Sequence, residues 1–408
     1  MAETFFLIIM MTSLRTMETA PWKRRMRVII RIDGDVAMEG KRITDDFRIR
    51  AALPTIKSAL RHGSLVRIIS HRGRPHGVVT PSLTQQPAAL CLSRLLKKKI
   101  VFVKDPLSAA AFRKLNSSPD ILFFENIRFW KGEEENSVTF ARMLARWGDI
   151  YINDAFANCH RNHASMLALA AALPSYAGMN LAQEVETLGR VMTNPEHPFV
   201  ALLGGAKIET KVPLIKRFLE SADHVLIGGA IANTLFAAMG LDVGMSLVDE
   251  KKAEITRLFS HKNFHIPTDV VVTKSLSSSS SARICSRDAV ASDEYIVDIG
   301  PETIKKFSSF FAGSSMIVWN GPVGFAELPD FAQGTRDIAK AMQRVPAFKL
   351  VGGGDTIALL RAYHALRGFS YVSTGGGAML EFLAGKKLPV IEALKQKNPN
   401  VKIPMANY

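Results

Sequence analysis

From Val28 onward, short apolar runs alternate with glycine-rich or polar turns and amphipathic segments, the punctuation of repeated βαβ units. Val28–Ile32, Leu65–Ile69, Ile100–Val103, Ile121–Phe124 and Ile150–Ile152 predict strands in the first half. Phe199–Leu203, His224–Ile227, Asp269–Val272, Ser315–Trp319, Phe348–Val351 and Ser370–Val372 predict strands in the second. These runs are continuous and rich in β-branched residues rather than alternating, which suits parallel strands covered on both faces. Apolar spacing predicts helices between them, including Arg48–Arg61, Ser137–Trp147 and Gly334–Arg344. The fold class is therefore α/β, with two doubly wound, Rossmann-like parallel-sheet domains. A helical segment over Leu181–Met192, ending at Asn194-Pro195, is the natural joint, since proline cannot continue a helix interior. The expected boundaries are an N-terminal extension over 1–27, disordered at least in part, a first domain over 28–180, a hinge helix over 181–198, a second domain over 199–385 and a C-terminal segment over 386–408. The serine run Ser275–Ser281 reads as a surface loop.

Length agrees with two domains, because 408 residues exceed one typical compact core. The net charge of +15 would suit nucleic acid, an anionic membrane or a small anionic substrate. The basic runs Lys23-Arg24-Arg25 and Lys97-Lys98-Lys99 are short, lack interleaved aromatics and match no nucleic-acid motif, so they read as solvated faces. The apolar run Phe5–Met11 is short and preceded by Glu3, which makes a poor signal peptide, and Met11 and Met17 offer later starts. No other run approaches the ~20 apolar residues of a membrane helix. Cys91, Cys159 and Cys285 are too scattered for a disulfide framework or a zinc site, and a reducing cytoplasm fits them.

Ligands of doubly wound sheets bind beyond the carboxyl ends of the strands. In the first half those positions hold Arg31-Ile32-Asp33-Gly34-Asp35, Ser70-His71-Arg72-Gly73-Arg74, Glu125-Asn126-Ile127-Arg128 and Asn153-Asp154, followed by His160-Arg161-Asn162-His163. Arg48 opens the helix after the first strand. One arginine near a strand end is usually a surface residue. Repetition at successive strand ends points to a small, highly anionic ligand, whose carboxylate and phosphate oxygens match forked guanidinium donors.

In the second half the same positions are glycine-rich: Gly204-Gly205-Ala206-Lys207, Gly228-Gly229-Ala230, Trp319-Asn320-Gly321, Gly352-Gly353-Gly354-Asp355-Thr356 and Thr374-Gly375-Gly376-Gly377. Glycine lets backbone N–H groups approach an anion, and several such loops on one edge suggest a polyphosphate nucleotide. There is no GxxxxGK[ST] loop and no protein-kinase signature. Asp355 is a candidate Mg²⁺ carboxylate as well as a helix-capping residue.

Between about Val28 and Val390 the chain resembles the phosphoglycerate kinase family, segment after segment and in order. The matching stretches are Ile43–Ile56, Ser70–Pro75, Glu125–Phe129, Asn153–Ser165, Gly204–Lys211, Ile227–Thr234, Asp298–Thr303, Trp319–Gly324, Gly352–Thr356 and Ser373–Leu380. The resemblance implies reversible, Mg²⁺-dependent transfer of the acyl phosphate of 1,3-bisphosphoglycerate to ADP, giving 3-phosphoglycerate and ATP, as in glycolysis and gluconeogenesis. It implies a cytoplasmic monomer that binds small molecules, neither nucleic acid nor membrane, and that closes about its hinge, with the C-terminal segment packed back on the first domain. Carried over by position, Asp33, Asp35, Arg48, His71, Arg74, Arg128 and Arg161 form the glycerate set. Lys211, Gly229, Asn320, Glu327, Gly352, Gly353, Gly354, Asp355 and Thr356 form the nucleotide set, with Asp355 toward the metal. Arg48, Lys207, Gly354 and Gly377 stabilise the phosphoryl group in flight.

The chain departs from the family pattern at Asp35, where asparagine is usual, and at Gly34, Ala37, Arg72 and Ala157 around the same edge. Met245 and Met379 stand where lysine and serine are usual. An added carboxylate beside an anionic substrate weakens its binding unless a cation pairs with it. The rival expectations are a catalytically weakened nucleotide-binding scaffold and a kinase of another small carboxylate.

Overall fold

The computed structural model describes residues 14–40, 42–117, 119–249, 258, 260–277, 282–325 and 327–395. The run Phe5–Met11 and the end of the serine run lie outside these residues. Two compact units emerge, residues 1–189 with 387–408, and residues 190–386.

The first unit is a six-stranded parallel sheet built from β1 (Arg27–Arg31), β2 (Leu65–Ile69), β3 (Val101–Val103), β4 (Ile121–Phe124), β5 (Ile150–Asn153) and β6 (Ser175–Ala177), in the order β3-β4-β2-β1-β5-β6. Val28 and Ile30 of β1 pack into one apolar cluster and Ile29 into another, so both faces of the strand are covered. That double burial is why the run is continuous rather than alternating. Between β1 and β2 lie α1 (Phe47–Ala51) and α2 (Leu53–Arg61). The break at Ala52 divides the single helix predicted there, because Pro54 has no N–H to donate one turn back. α3 (Gln86–Leu96) follows β2, and α4 (Val138–Ala145) starts at Ser137, whose Oγ accepts the Phe140 N–H at 3.3 Å. The unit's core begins before β1, since Met17 and Ala20 are buried in it. α5 (Ala168–Ala172) precedes β6, and the boundary between the units falls within α6 (Met179–Thr193).

The second unit carries a parallel sheet of β7 (Phe199–Leu203), β8 (His224–Ile227), β9 (Phe264–His265), β13 (Met316–Asn320), β14 (Phe348–Gly352) and β15 (Tyr371–Val372), in the order β9-β8-β7-β13-β14-β15. A separate antiparallel sheet is formed by β10 (Asp269–Thr273), β11 (Arg283–Ser286) and β12 (Tyr295–Ile299), in the order β11-β10-β12. The apolar run Asp269–Val272, expected in the parallel sheet, pairs here instead, because a short apolar run does not encode which neighbour it meets. Helices α7 (Val212–Ser221), α8 (Ala230–Ala238), α9 (Pro301–Phe311), α10 (Gln333–Gln343), α11 (Gly354–Ala362) and α12 (Gly377–Leu383) complete the unit. The last described helix, α13 (Pro389–Lys395), returns to the first unit and packs on α5 and β6.

Candidate active site

At the carboxyl edge of the first sheet, Arg31 ends β1 wholly buried. Its Nε donates to Ser165 Oγ at 3.1 Å and its Nη2 donates to His71 Nδ1 at 2.9 Å. Accepting that bond leaves the His71 proton on Nε2, which faces Asp35 Oδ2 at 4.0 Å. Asp35 Oδ1 accepts the Gly73 N–H at 3.0 Å, and Asp33 Oδ1 accepts the Asp35 N–H at 3.2 Å. Arg48 donates from Nη1 to the Asp35 carbonyl at 2.9 Å and lies 3.3 Å from Asp33 Oδ2. Glu125 and Asn126 scaffold this edge: Glu125 accepts from Thr84 Oγ1 and from the Gln85 and Asn126 N–H groups, while the Asn126 amide donates to the Arg72 and Leu83 carbonyls.

Arg128 is buried with only Nη1 hydrogen-bonded, donating to the Gly73 carbonyl at 2.6 Å, while Nε lies 3.9 Å from Glu134 Oε1. Its Nε and Nη2, and Nε of the partly buried Arg161, are buried without a hydrogen-bond partner. Buried donors are nearly always paired, so three orphans in one place mark a position prepared for an acceptor. Electrostatics agree. Burial, then repulsion from Arg31 and Arg161, pulls Arg128 down to about 10. Burial and Arg74 lower Arg161, and burial with Arg128 and Arg161 lowers His163 to about 3. His71 falls well below its usual range, first through burial and then through Arg31, Arg128 and Arg161. Against this stands the buried Glu133, which accepts from the Ser165 hydroxyl at 2.6 Å and its N–H at 2.8 Å. Arg74 is exposed.

In the second unit, the loops after β7, β8, β13 and β14 interlock through backbone. Gly205 N–H donates to the Pro322 carbonyl at 2.7 Å, Gly229 N–H to Val323 at 2.8 Å and Gly204 N–H to Asn320 at 2.9 Å. Gly229 has φ +63°, and a Cβ there would stand 2.7 Å from Gly205 N and 2.8 Å from the Pro322 oxygen, so only glycine fits. Thr356 Oγ1, fully buried in the first turn of α11, accepts the Gly321 N–H at 2.9 Å. Lys211 is buried and donates to the Gly204 carbonyl. Burial lowers it to about 8, opposed by the attraction of Asp355. Asn320 Nδ2 is another buried donor without a partner.

A cavity of about 420 Å³ opens beside these loops. Its walls include Phe236, Leu247, Val270 and Val297, with Gly205 and Gly229 at one side and the carboxylates of Glu327 and Asp355 on its lining. Apolar walls with a few polar groups are usual for a small-molecule site. Met245 lies on the same lining, so the departure from lysine makes this wall more apolar. Met379 packs at Gly352, where a Cβ would come within 2.0 Å of its sulfur. Lys207, Gly354 and Gly377 are exposed, and Gly353, with φ +101°, precedes the first residue of α11. Among the described residues, no three His, Cys, Asp or Glu side chains cluster for a metal.

Sequence reasoning gave no role to Glu133 or Ser165 and named Arg31 only as one of several strand-end residues, yet these three orient His71 and balance the charge beneath it. An arginine inside an apolar strand run was the available signal.

Fold and site together define a class: an α/β phosphotransferase of two parallel-sheet domains that acts on small anionic molecules. The family model described as phosphoglycerate kinase matches residues 21–386. The phosphoglycerate kinase of Thermomicrobium roseum is 42% identical over 380 residues, covering 91% of this chain and 97% of the relative. That of Moorella thermoacetica is 41% identical over 380 residues, covering 91% and 96%. Among solved structures, phosphoglycerate kinase from Coxiella burnetii superposes with a TM-score of 0.81 at 38% identity, covering 94% of this chain and 100% of that one. The Pyrococcus horikoshii enzyme gives 0.81 at 30% identity, covering 94% and 98%. The chain belongs to the phosphoglycerate kinase family, and the expected fold class and phosphotransferase activity with a carboxyl acceptor stand.

Proposed function

We propose that this chain transfers the acyl phosphate of 1,3-bisphosphoglycerate to ADP and, in reverse, phosphorylates the carboxyl group of 3-phosphoglycerate from ATP. The observation that carries the assignment of the glycerate edge is the set of orphaned donors on Arg128 and Arg161. A phosphate or carboxylate placed there accepts from them and relieves the mutual repulsion of the cations. Asp33 holds Arg48, and Arg31 fixes the His71 tautomer, so the binding groups are preorganised. Asp35 is already engaged by the Gly73 N–H, which draws its oxygen toward the loop.

The nucleotide set is proposed to work through the glycine loops and the apolar cavity, with the base against Phe236 and Val297 and the ribose hydroxyls accepted by Glu327. One carboxylate plus phosphate oxygens is the usual Mg²⁺ environment, and the exposed Asp355 fits it; the ion would neutralise phosphate charge. Lys207 and Arg48, with the backbone N–H groups of Gly354 and Gly377, are assigned to the transferring phosphoryl, whose metaphosphate-like charge calls for fixed cations and donors rather than a general base. A cytoplasmic monomer belongs to the same reading; gel filtration with light scattering checks the monomer.

Calorimetric titration of 3-phosphoglycerate tests the glycerate edge. The wild type should bind one equivalent and Arg161→Ala at least about tenfold more weakly, as the loss of a charge-assisted pair requires. Equal affinity would remove Arg161 from the site.

A further inference from the structure

The two basic runs that read as solvated faces in the sequence meet in space. A cavity of about 580 Å³ in the first unit is lined by Arg24, Arg25, Lys57, Arg61 and Lys98, with Asp120 as the single acid on the lining. Its volume falls within the ~300–1,000 Å³ of small-molecule pockets. Arg24 and Arg25 precede β1, Lys98 precedes β3 and Asp120 precedes β4, while Ser64, also on the lining, precedes β2. These four strands are neighbours in the sheet, so the cavity lies at its amino edge. Asp33, His71 and Arg128 follow β1, β2 and β4 and lie at the opposite edge.

The charge exceeds what the local structure explains. The carboxyl ends of α2 and α3 reach this cavity at Arg61 and Leu96, and each contributes about −0.5 elementary charge. Together with Asp120 they cancel about two of the five cations, leaving about three uncompensated. Among the described residues, none of the five forms a salt bridge. Arg25 is fixed by its own N–H to the Gly63 carbonyl at 2.8 Å and by Nη2 to the Ser117 carbonyl at 2.6 Å. The Ser64 hydroxyl is buried without a hydrogen-bond partner, a further donor.

We propose that this cavity binds a small ligand carrying several phosphate groups, at a site separate from the glycerate edge. Several charges on one compact molecule match cations converging from loops and helix ends, whereas a single monoanion would engage only a few. No aromatic side chain lines the cavity to stack a base, which disfavours single-stranded nucleic acid.

Calorimetry on the full chain, with 3-phosphoglycerate saturating, tests this using inorganic tripolyphosphate and inositol hexakisphosphate as probes. One equivalent of either should bind; preference between the two separates a linear from a ring-borne source. Arg61→Ala with Lys98→Ala should weaken binding about tenfold or more, as two lost charged contacts require, while kcat and KM for 3-phosphoglycerate stay unchanged. Arg74→Ala, at the other edge, should leave probe binding intact. The proposal fails if the double variant binds as the wild type does, if neither probe binds once 3-phosphoglycerate is present, or if an oligothymidylate binds more tightly than both and is lost with the same substitutions.

Discussion

Arg128→Met should make the ligand-free protein more stable while removing its activity. Arg128 is 2% exposed, and the surroundings pull it down to about 10. That is more than two decades of proton affinity below a free arginine, or about 3 kcal/mol at ~1.4 kcal/mol per decade. A base whose folded value is depressed is penalised whenever it is charged, so the cost is fully present at pH 7 and vanishes only as pH rises above about 10. Methionine removes this cost and keeps most of the side-chain volume, but it leaves the Gly73 carbonyl without its donor, which returns about 1–2 kcal/mol. The net gain is about 1–2 kcal/mol, or roughly 2–8 °C in the melting temperature of a unit this size. Turnover moves the other way. Two charge-assisted bonds from Nε and Nη2, at ~1.5–3 kcal/mol each, predict a loss of kcat/KM of at least about 100-fold. Thermal unfolding in phosphate-free buffer and a coupled assay read both quantities. A variant that melts below the wild type, or that keeps activity within about threefold, refutes the idea that this guanidinium is held under strain for an anion.

Lys211, lowered to about 8, makes ADP affinity fall as pH rises through that value, and Lys211→Met should bind ADP weakly with no such inflection; an unchanged inflection would assign the titration elsewhere. By the same sign, the folded state gains stability between about pH 8 and the normal lysine range, since there the unfolded chain holds the extra proton. Asp35→Asn keeps an acceptor for the Gly73 N–H and removes a charge, so KM for 3-phosphoglycerate should drop several-fold, about 1 kcal/mol; a rise would show that the carboxylate orients His71 or Arg161 productively. Gly229→Ala drives a Cβ into backbone atoms at positive φ, costing about 1–3 kcal/mol and weakening nucleotide binding, measured by melting and by ADP titration; a wild-type melt and affinity would contradict the interlocked loops.

The parallel sheets were legible because β1, β2, β4 and β7 are buried on both faces and their sequences are apolar without alternation. β6 and β9 were not, since Ser175–Ala177 and Phe264–His265 contain no β-branched residue, whereas the equally short edge strands β3 and β15 carry valines. β11 was hidden for another reason: its mostly exposed residues lack an apolar face. At the glycerate edge, strand-end position alone drew attention to the arginines and His71. It did not reveal that Glu125 and Asn126 serve as backbone scaffolding, nor that Arg31 lies beneath His71 rather than in solvent. Those roles depend on which loop each side chain meets, information that arises only when the strands are in register. Charge runs were the least legible feature, because Arg24-Arg25 and Lys98 are far apart in sequence and meet only at the amino edge of the sheet.

The most direct measurement of the central claim is ATP consumption with 3-phosphoglycerate, read as NADH oxidation through coupled glyceraldehyde-3-phosphate dehydrogenase, in the wild type and in Lys207→Ala. The account predicts robust Mg²⁺-dependent turnover that the substitution abolishes while both substrates still bind. Turnover that survives in Lys207→Ala, or a wild type that binds ATP and yet leaves 3-phosphoglycerate untouched, would contradict it.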